Sequence, residues 1–171
     1  HHVKLVSVTN GDIGHWQMAG GELAQRRTAE VQEAAKVLGT TAEVLDIHDG
    51  ELLPTLEHRR QIVRLIRNWK ADIVISHRPW DYHPDHRAAG AAAVEAVFPC
   101  AEMQMLWPEE GPAHKVQAVY IAMTEDRDTW IDIGDTLEAK LAALRAHASQ
   151  MGEWDPSDMI RRWAASDAKD G

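Results

Sequence analysis

The sequence has one cysteine, Cys100, so it can form neither an intrachain disulfide nor a thiolate-rich metal site. One Phe and two Tyr stand against seven Trp, so tryptophan is the main aromatic mass and several must serve the core. No apolar run nears the ~18 residues that a membrane-spanning helix needs. The most apolar stretch, Ala88 to Val97, is Ala-rich and broken by Glu95, and no membrane span is expected. Positive charge is also scarce. Eighteen Lys and Arg against 27 Asp and Glu leave a formal net charge of −9, and basic residues cluster only as pairs such as Arg26-Arg27, Arg59-Arg60 and Arg161-Arg162. Long-range attraction to a polyanion is absent, so no nucleic-acid partner is expected. No basic segment followed by an apolar one opens the chain. Together with the lone Cys, which suits a reducing compartment, this makes a cytoplasmic location the expectation.

What is present is a globular chain. Its 171 residues, 44% of them hydrophobic, suit a single domain, which typically runs ~100–200 residues. Lys4 to Val8, Glu43 to Ile47 and Asp72 to Ser76 read as strands, each ending in a polar turn or loop. Between them lie amphipathic helices from Gly21 to Leu38, stopped by Gly39, and from Leu56 to Trp69. A further helix runs from Pro84 to Val97. Strands at Gln117 to Met123 and Thr129 to Ile133 follow a Pro-rich connection. Asp135-Thr136-Leu137-Glu138 has capping-box spacing and opens a helix with Leu137, Leu141, Leu144 and Ala148 on one face. The tail from Asp155 holds a short helix through Trp163. The alternation predicts one α/β domain with parallel strands.

That topology locates a ligand edge, because in open parallel sheets the strand-to-helix loops gather outside the strands' carboxyl ends. The loops Asn10 to Gly20, His48 to Leu53 and His77 to Pro84 hold Asp12, His15, His48, Asp49, His77, Asp81 and His83, with His86 just beyond. Trp16, Trp80 and Trp107 lie in or near the same loops and could stack on the face of a ligand, although packing against the core is the expectation for each. The densest cluster is His83-Pro84-Asp85-His86. Pro84 suits the first helical position, which makes His83 the cap and places His86 one turn inside. Two such imidazoles can simply cap a helix in water, or they can serve a zinc centre, in which the metal polarises a carbonyl and lowers the pKa of water towards ~7. In the second case one His binds metal and the other faces the developing oxyanion.

The chain resembles the LmbE-like / PIG-L family of zinc-dependent de-N-acetylases. The resemblance rests on Thr9-Asn10-Gly11-Asp12, Arg27-Thr28-Ala29-Glu30 in a helix ending Val37-Leu38-Gly39, and Leu45-Asp46-Ile47-His48-Asp49-Gly50. It continues in Asp81-Tyr82-His83-Pro84-Asp85-His86-Arg87 and the helix from Lys140 to Gln150. It implies a Rossmann-like fold, a mostly parallel sheet with helices on both faces, and zinc-dependent hydrolysis of an N-acyl group on an N-acetylglucosamine-type amino sugar. Carried over by motif, His86 is implied as the zinc ligand and His83 as the catalytic residue at the oxyanion. Arg27 and Asp49 are implied to contact the sugar. Arg27 can instead form an i,i+3 pair with Glu30, and Asp49 can be a turn residue before Gly50.

Family members carry a His-Pro-Asp-Asp motif after their first strand, which supplies two zinc ligands and a base. This sequence contains no such motif and starts at His1-His2-Val3, where the family's second strand begins. The first strand and helix, roughly 30 residues on the scale of a βαβ unit, are therefore expected to be missing, leaving a gap in the sheet. The chain reads as one de-N-acetylase domain incomplete at both ends. Two other readings stand beside it. One is a noncatalytic sugar-binding remnant. The other is a metal site formed within the chain by His83, His86 and one or two of Asp81, Asp49, His48 and His15.

Overall fold

A computed structural model of the chain describes residues 1–169. They form two compact units, His1–Asp49 with the described residues from Arg127 onward, and Gly50–Asp126.

In the first unit, β1 (Lys4–Ser7), α1 (Gly21–Leu38) and β2 (Thr41–Val44) form a βαβ turn. β1 and β2 pair in parallel from Lys4↔Thr41 to Ser7↔Val44. The helix stops where its sequence says it should, with Gly39 in the left-handed region and its N–H on the Ala35 and Lys36 carbonyls. α4 (Leu137–Arg145), α5 (Ala148–Met151) and α6 (Ser157–Asp167) complete the unit. α1 packs on α4, and Leu23, Ala34, Ala35, Leu141 and Ala143 are buried. Glu30, itself buried, accepts hydrogen bonds from the Ser149 N–H at 2.7 Å and hydroxyl at 2.6 Å, fastening the start of α5 to α1.

In the second unit, α2 (Leu56–Trp69) is capped by Thr55, whose hydroxyl oxygen accepts from the His58 N–H. β3 (Ile73–His77) pairs in parallel with β4 (Ala118–Ala122) from Ile73↔Ala118 to His77↔Ala122. Between them come α3 (Pro84–Glu95) and a wider turn, Ala96–Ala101, interrupted at Phe98. Ile62, Val63 and Ile66 of α2 meet Ala92, Ala96, Cys100 and Ala101 in the core, with Val74 and Trp107 packed against them. Arg67 is 1% exposed and donates to the carbonyls of Cys100, Ala101, Met103, Leu106, Trp107 and Gly111, fixing an irregular segment that makes few ladder bonds of its own.

The α/β class and parallel pairing match the reading of the sequence. Among the described residues the strands form two separate two-stranded ladders. Four expectations need correction. β2 lies earlier than Glu43 to Ile47, because its extent is set by its register on β1. Thr129 to Ile133 is not a strand: Thr129 to Asp132 are exposed and no described neighbour provides a ladder. The capping box does not form, since Asp135 sits in a tight turn, Gly134–Thr136, and Thr136 precedes α4 without a side-chain cap. The helix also ends at Arg145, so Ala148 begins α5 instead of extending the apolar face.

Candidate functional site

The His83 to His86 segment forms as its proline predicts. His83 is the N-cap of α3 in extended conformation and Pro84 occupies the first turn. The Asp85 N–H donates to His83 Nδ1 at 3.2 Å. An imidazole nitrogen that accepts cannot carry a proton, so neutral His83 holds its proton at Nε2, as a hydrogen-bond donor. Asp85 is 5% exposed, and its carboxylate accepts from the Gly50 N–H at 2.6 Å and the Leu52 N–H at 3.3 Å. The loop before α2 is thereby tied to the start of α3. Gly90 lets α3 approach β3: a Cβ there would meet the His77 carbonyl oxygen at 2.5 Å.

That close approach brings three imidazoles together. The rings of His77 and His86 stack with centroids 4.2 Å apart and planes within 4°, and His83 stacks on His86 at 4.6 Å. Burial and then the neighbouring charge of His86 lower the His77 pKa, keeping that ring neutral in the stack. Asp81 beside them is 2% exposed. Its Oδ1 accepts from the His83 N–H at 3.0 Å and contacts His86 Nδ1 at 3.2 Å, while Oδ2 accepts from Arg78 Nε at 3.2 Å. The His83 N–H, and after it the charges of His86 and Arg78, hold the Asp81 carboxyl below its usual range against the opposing effect of burial.

Two imidazoles and a carboxylate are zinc-type donors, and ligand atoms of His77, Asp81 and His86 lie within 4.8 Å of one another. Their orientation decides how many can act. Imidazole lone pairs lie in the ring plane, and the His77 and His86 rings are parallel to within 4°, so as stacked they do not aim their lone pairs at one point. His86, through its remaining nitrogen, fits as a single ligand.

In the other unit the structure brings Arg27 and Asp49 together. Arg27 is 9% exposed and donates from Nη1 to the carbonyls of Gly11 at 2.8 Å and Ile13 at 2.7 Å, with Asp49 Oδ2 at 3.8 Å. Its Nε is buried without a partner among the described residues. Gly11 has φ +71°, and a Cβ there would strike Arg27 Cδ at 2.7 Å, so only glycine allows this seat. The i,i+3 pair with Glu30 does not form. Glu30 takes Arg26 instead. Asp49 is indeed in a turn before Gly50, and it also accepts from the Thr9 hydroxyl at 2.9 Å. Asp12, 3% exposed, accepts from the Asp49 N–H at 3.1 Å and pairs with His48 Nδ1.

Of the residues considered for a metal site within the chain, Asp81 contacts His86 while His48 is taken by Asp12 and His15 accepts from the Gln17 N–H. Sequence reasoning gave no particular role to His77, Asp12 or Asp85. Their position at strand and helix ends was the available signal. Trp107 packs on the core as expected, but Trp16 at 88% and Trp80 at 59% exposure do not.

The family model for PIG-L, the GlcNAc-PI de-N-acetylases, matches residues 1–97. A diacetylchitobiose deacetylase of Thermococcus kodakarensis is 37% identical over 169 residues, covering 90% of this chain and 63% of that protein. The chain thus spans less than two thirds of that relative. Among solved structures, the N,N'-diacetylchitobiose deacetylase of Pyrococcus horikoshii complexed with its inhibitor MPG has a TM-score of 0.81 and 29% identity, covering 95% of this chain and 63% of that one. GalB, the 4-carboxy-2-hydroxymuconate hydratase of Pseudomonas putida KT2440, has a TM-score of 0.82 at 24% identity, covering 99% and 77%, and shows a shared fold alone.

Proposed function

Because the chain belongs to the PIG-L family of GlcNAc-PI de-N-acetylases, we propose that it is part of one catalytic domain that hydrolyses the acetamide of an N-acetylglucosamine-type amino sugar. The diacetylchitobiose deacetylase activity of the Thermococcus kodakarensis and Pyrococcus horikoshii relatives supports the substrate class. The observation that carries the reading is the tautomer of His83. Its Nδ1 is occupied by the Asp85 N–H, so its Nε2–H is free to donate. A fixed donor of that kind stabilises the negative charge that grows on the acyl oxygen as water adds to the carbonyl carbon. The C–N bond then breaks to give acetate and the free amine.

His86 is the residue of this segment that would hold zinc, which when bound supplies Lewis-acid polarisation of the amide carbonyl. Arg27 and Asp49 are assigned to the sugar: a buried guanidinium and a carboxylate that both keep polar capacity toward hydroxyl groups. No residue described here is assigned as the base for the attacking water.

The test is acetate release from N,N'-diacetylchitobiose by the full protein supplied with zinc. Zinc-dependent release supports the hydrolase. Saturable sugar binding with no acetate would favour the noncatalytic sugar-binding reading in its place.

A further inference from the structure

We propose that Asp81 is a positioning residue that sets the tautomer of His86, holding the proton at Nδ1 and leaving the lone pair at Nε2 as the metal-facing atom. An ionised carboxylate only accepts hydrogen bonds, so the 3.2 Å contact between Asp81 Oδ1 and His86 Nδ1 requires the proton on the ring nitrogen. A neutral imidazole protonated there keeps its lone pair at Nε2, on the far side of the ring. The carboxylate cannot swing away. It is 2% exposed and clamped by the His83 N–H on Oδ1 and by Arg78 Nε on Oδ2. Arg78 is held in turn by Glu125. The ring cannot readily turn either, because both His77 and His83 stack on it.

The consequence is a division of roles between two histidines one turn apart. Asp85 gives its backbone N–H to His83 Nδ1, and Asp81 gives a carboxylate oxygen to His86 Nδ1. One ring therefore presents a donor at Nε2 and the other a lone pair. Asp81 is also set apart from direct ligation, since the oxygen nearest His86 is already spent on two hydrogen bonds. Carboxylates placed behind a ligating histidine in this way fix its orientation, and their loss typically costs 10–100-fold in metal affinity.

The inference rests on the hydrolase reading only for what His86 serves, and its first readout needs neither metal nor substrate. Long-range proton–nitrogen NMR of the full protein labelled with 15N-histidine, at a pH where the imidazoles are neutral, reports the tautomer. His86 is expected as the Nδ1–H form in the wild type. Asp81→Ala should shift it toward Nε2–H. Asp81→Asn keeps a carbonyl oxygen for both donors and should retain Nδ1–H, which guards against a variant that fails to fold. Zinc added alone should then move the Nε2 resonance while Nδ1–H persists, with affinity about 10–100-fold weaker in Asp81→Ala. A wild-type His86 protonated at Nε2, zinc on Nδ1, or an unchanged tautomer in a folded Asp81→Ala protein would each overturn it. An Nδ1–H form in a protein that releases no acetate supports the inference and counts only against the hydrolase.

Discussion

Removing the Asp85 carboxylate should loosen the second unit before it touches any chemistry. In Asp85→Ala two backbone donors lose a charged acceptor, the Gly50 N–H at 2.6 Å and the Leu52 N–H at 3.3 Å. Hydrogen bonds to charged groups contribute about 1.5–3 kcal/mol each. Gly50 is exposed and water can recover much of its share, whereas Leu52 is 4% exposed and cannot be rehydrated without opening the loop. The negative charge in the first turn of α3 adds about 0.3–1 kcal/mol through the helix dipole. Together these give an expected loss of about 3–4 kcal/mol, a large part of the ~5–15 kcal/mol by which domains are stable. Asp85→Asn keeps one acceptor oxygen and should lose about half as much. Equilibrium urea unfolding measures the loss, and amide exchange at Gly50 and Leu52 locates it. A loss below about 1 kcal/mol in Asp85→Ala, with exchange at both amides unchanged, would refute the reasoning.

Three other outcomes follow from particular contacts. Arg67→Met should destabilise by at least about 2 kcal/mol in urea, because the Cys100 and Ala101 carbonyls lose their Arg67 bonds inside the core and a buried unsatisfied acceptor costs ~1–3 kcal/mol. Arg27→Ala should speed amide exchange around Gly11 to Ile13 and raise KM for the sugar more than it lowers kcat, since the side chain anchors that turn and is assigned to binding. Burial lowers the His77 pKa in the folded chain, so the unfolded chain binds the proton first as pH falls. Stability from neutral His77 is then complete above about pH 6.5 and is lost as pH drops through the lower folded value. Unfolding free energy between about pH 6.5 and 5 should fall more steeply in the wild type than in His77→Gln. Parallel slopes would refute it.

How much of this was legible in the sequence depended on whether the signal was local. The bounds of α1 and α2 are as expected because apolar periodicity and a stop signal agree, with Gly39 after α1 and a turn before β3. Pro84 after His83 fixed the cap of α3 for the same reason. Strands were less readable. Alternation marks which residues favour extension, but a strand exists only where another ladder receives it, so Thr129 to Ile133 stayed irregular. The candidate site divides the same way. His83 and His86 stand three residues apart and were visible as a pair. The partners that give them their chemistry are carboxylates whose burial is tertiary: Asp81 at the His86 ring nitrogen, and Asp85 on backbone donors 35 and 33 residues away. The Arg27 to Glu30 pair, left open by the spacing, does not form because each residue has partners elsewhere: two carbonyls for Arg27, and Ser149 and Arg26 for Glu30.

The most direct test of the proposed chemistry is the kinetics of His83→Ser on N,N'-diacetylchitobiose in the full, zinc-supplied protein. Serine caps a helix well, so the α3 start is kept while the Nε2–H donor is lost. Loss of one donor to a developing oxyanion typically lowers kcat about 10²–10³-fold. That fall, with KM nearly unchanged and the unfolding midpoint held, is the expected result. A kcat within a few-fold of wild type would contradict the assignment of His83 to the reacting carbonyl.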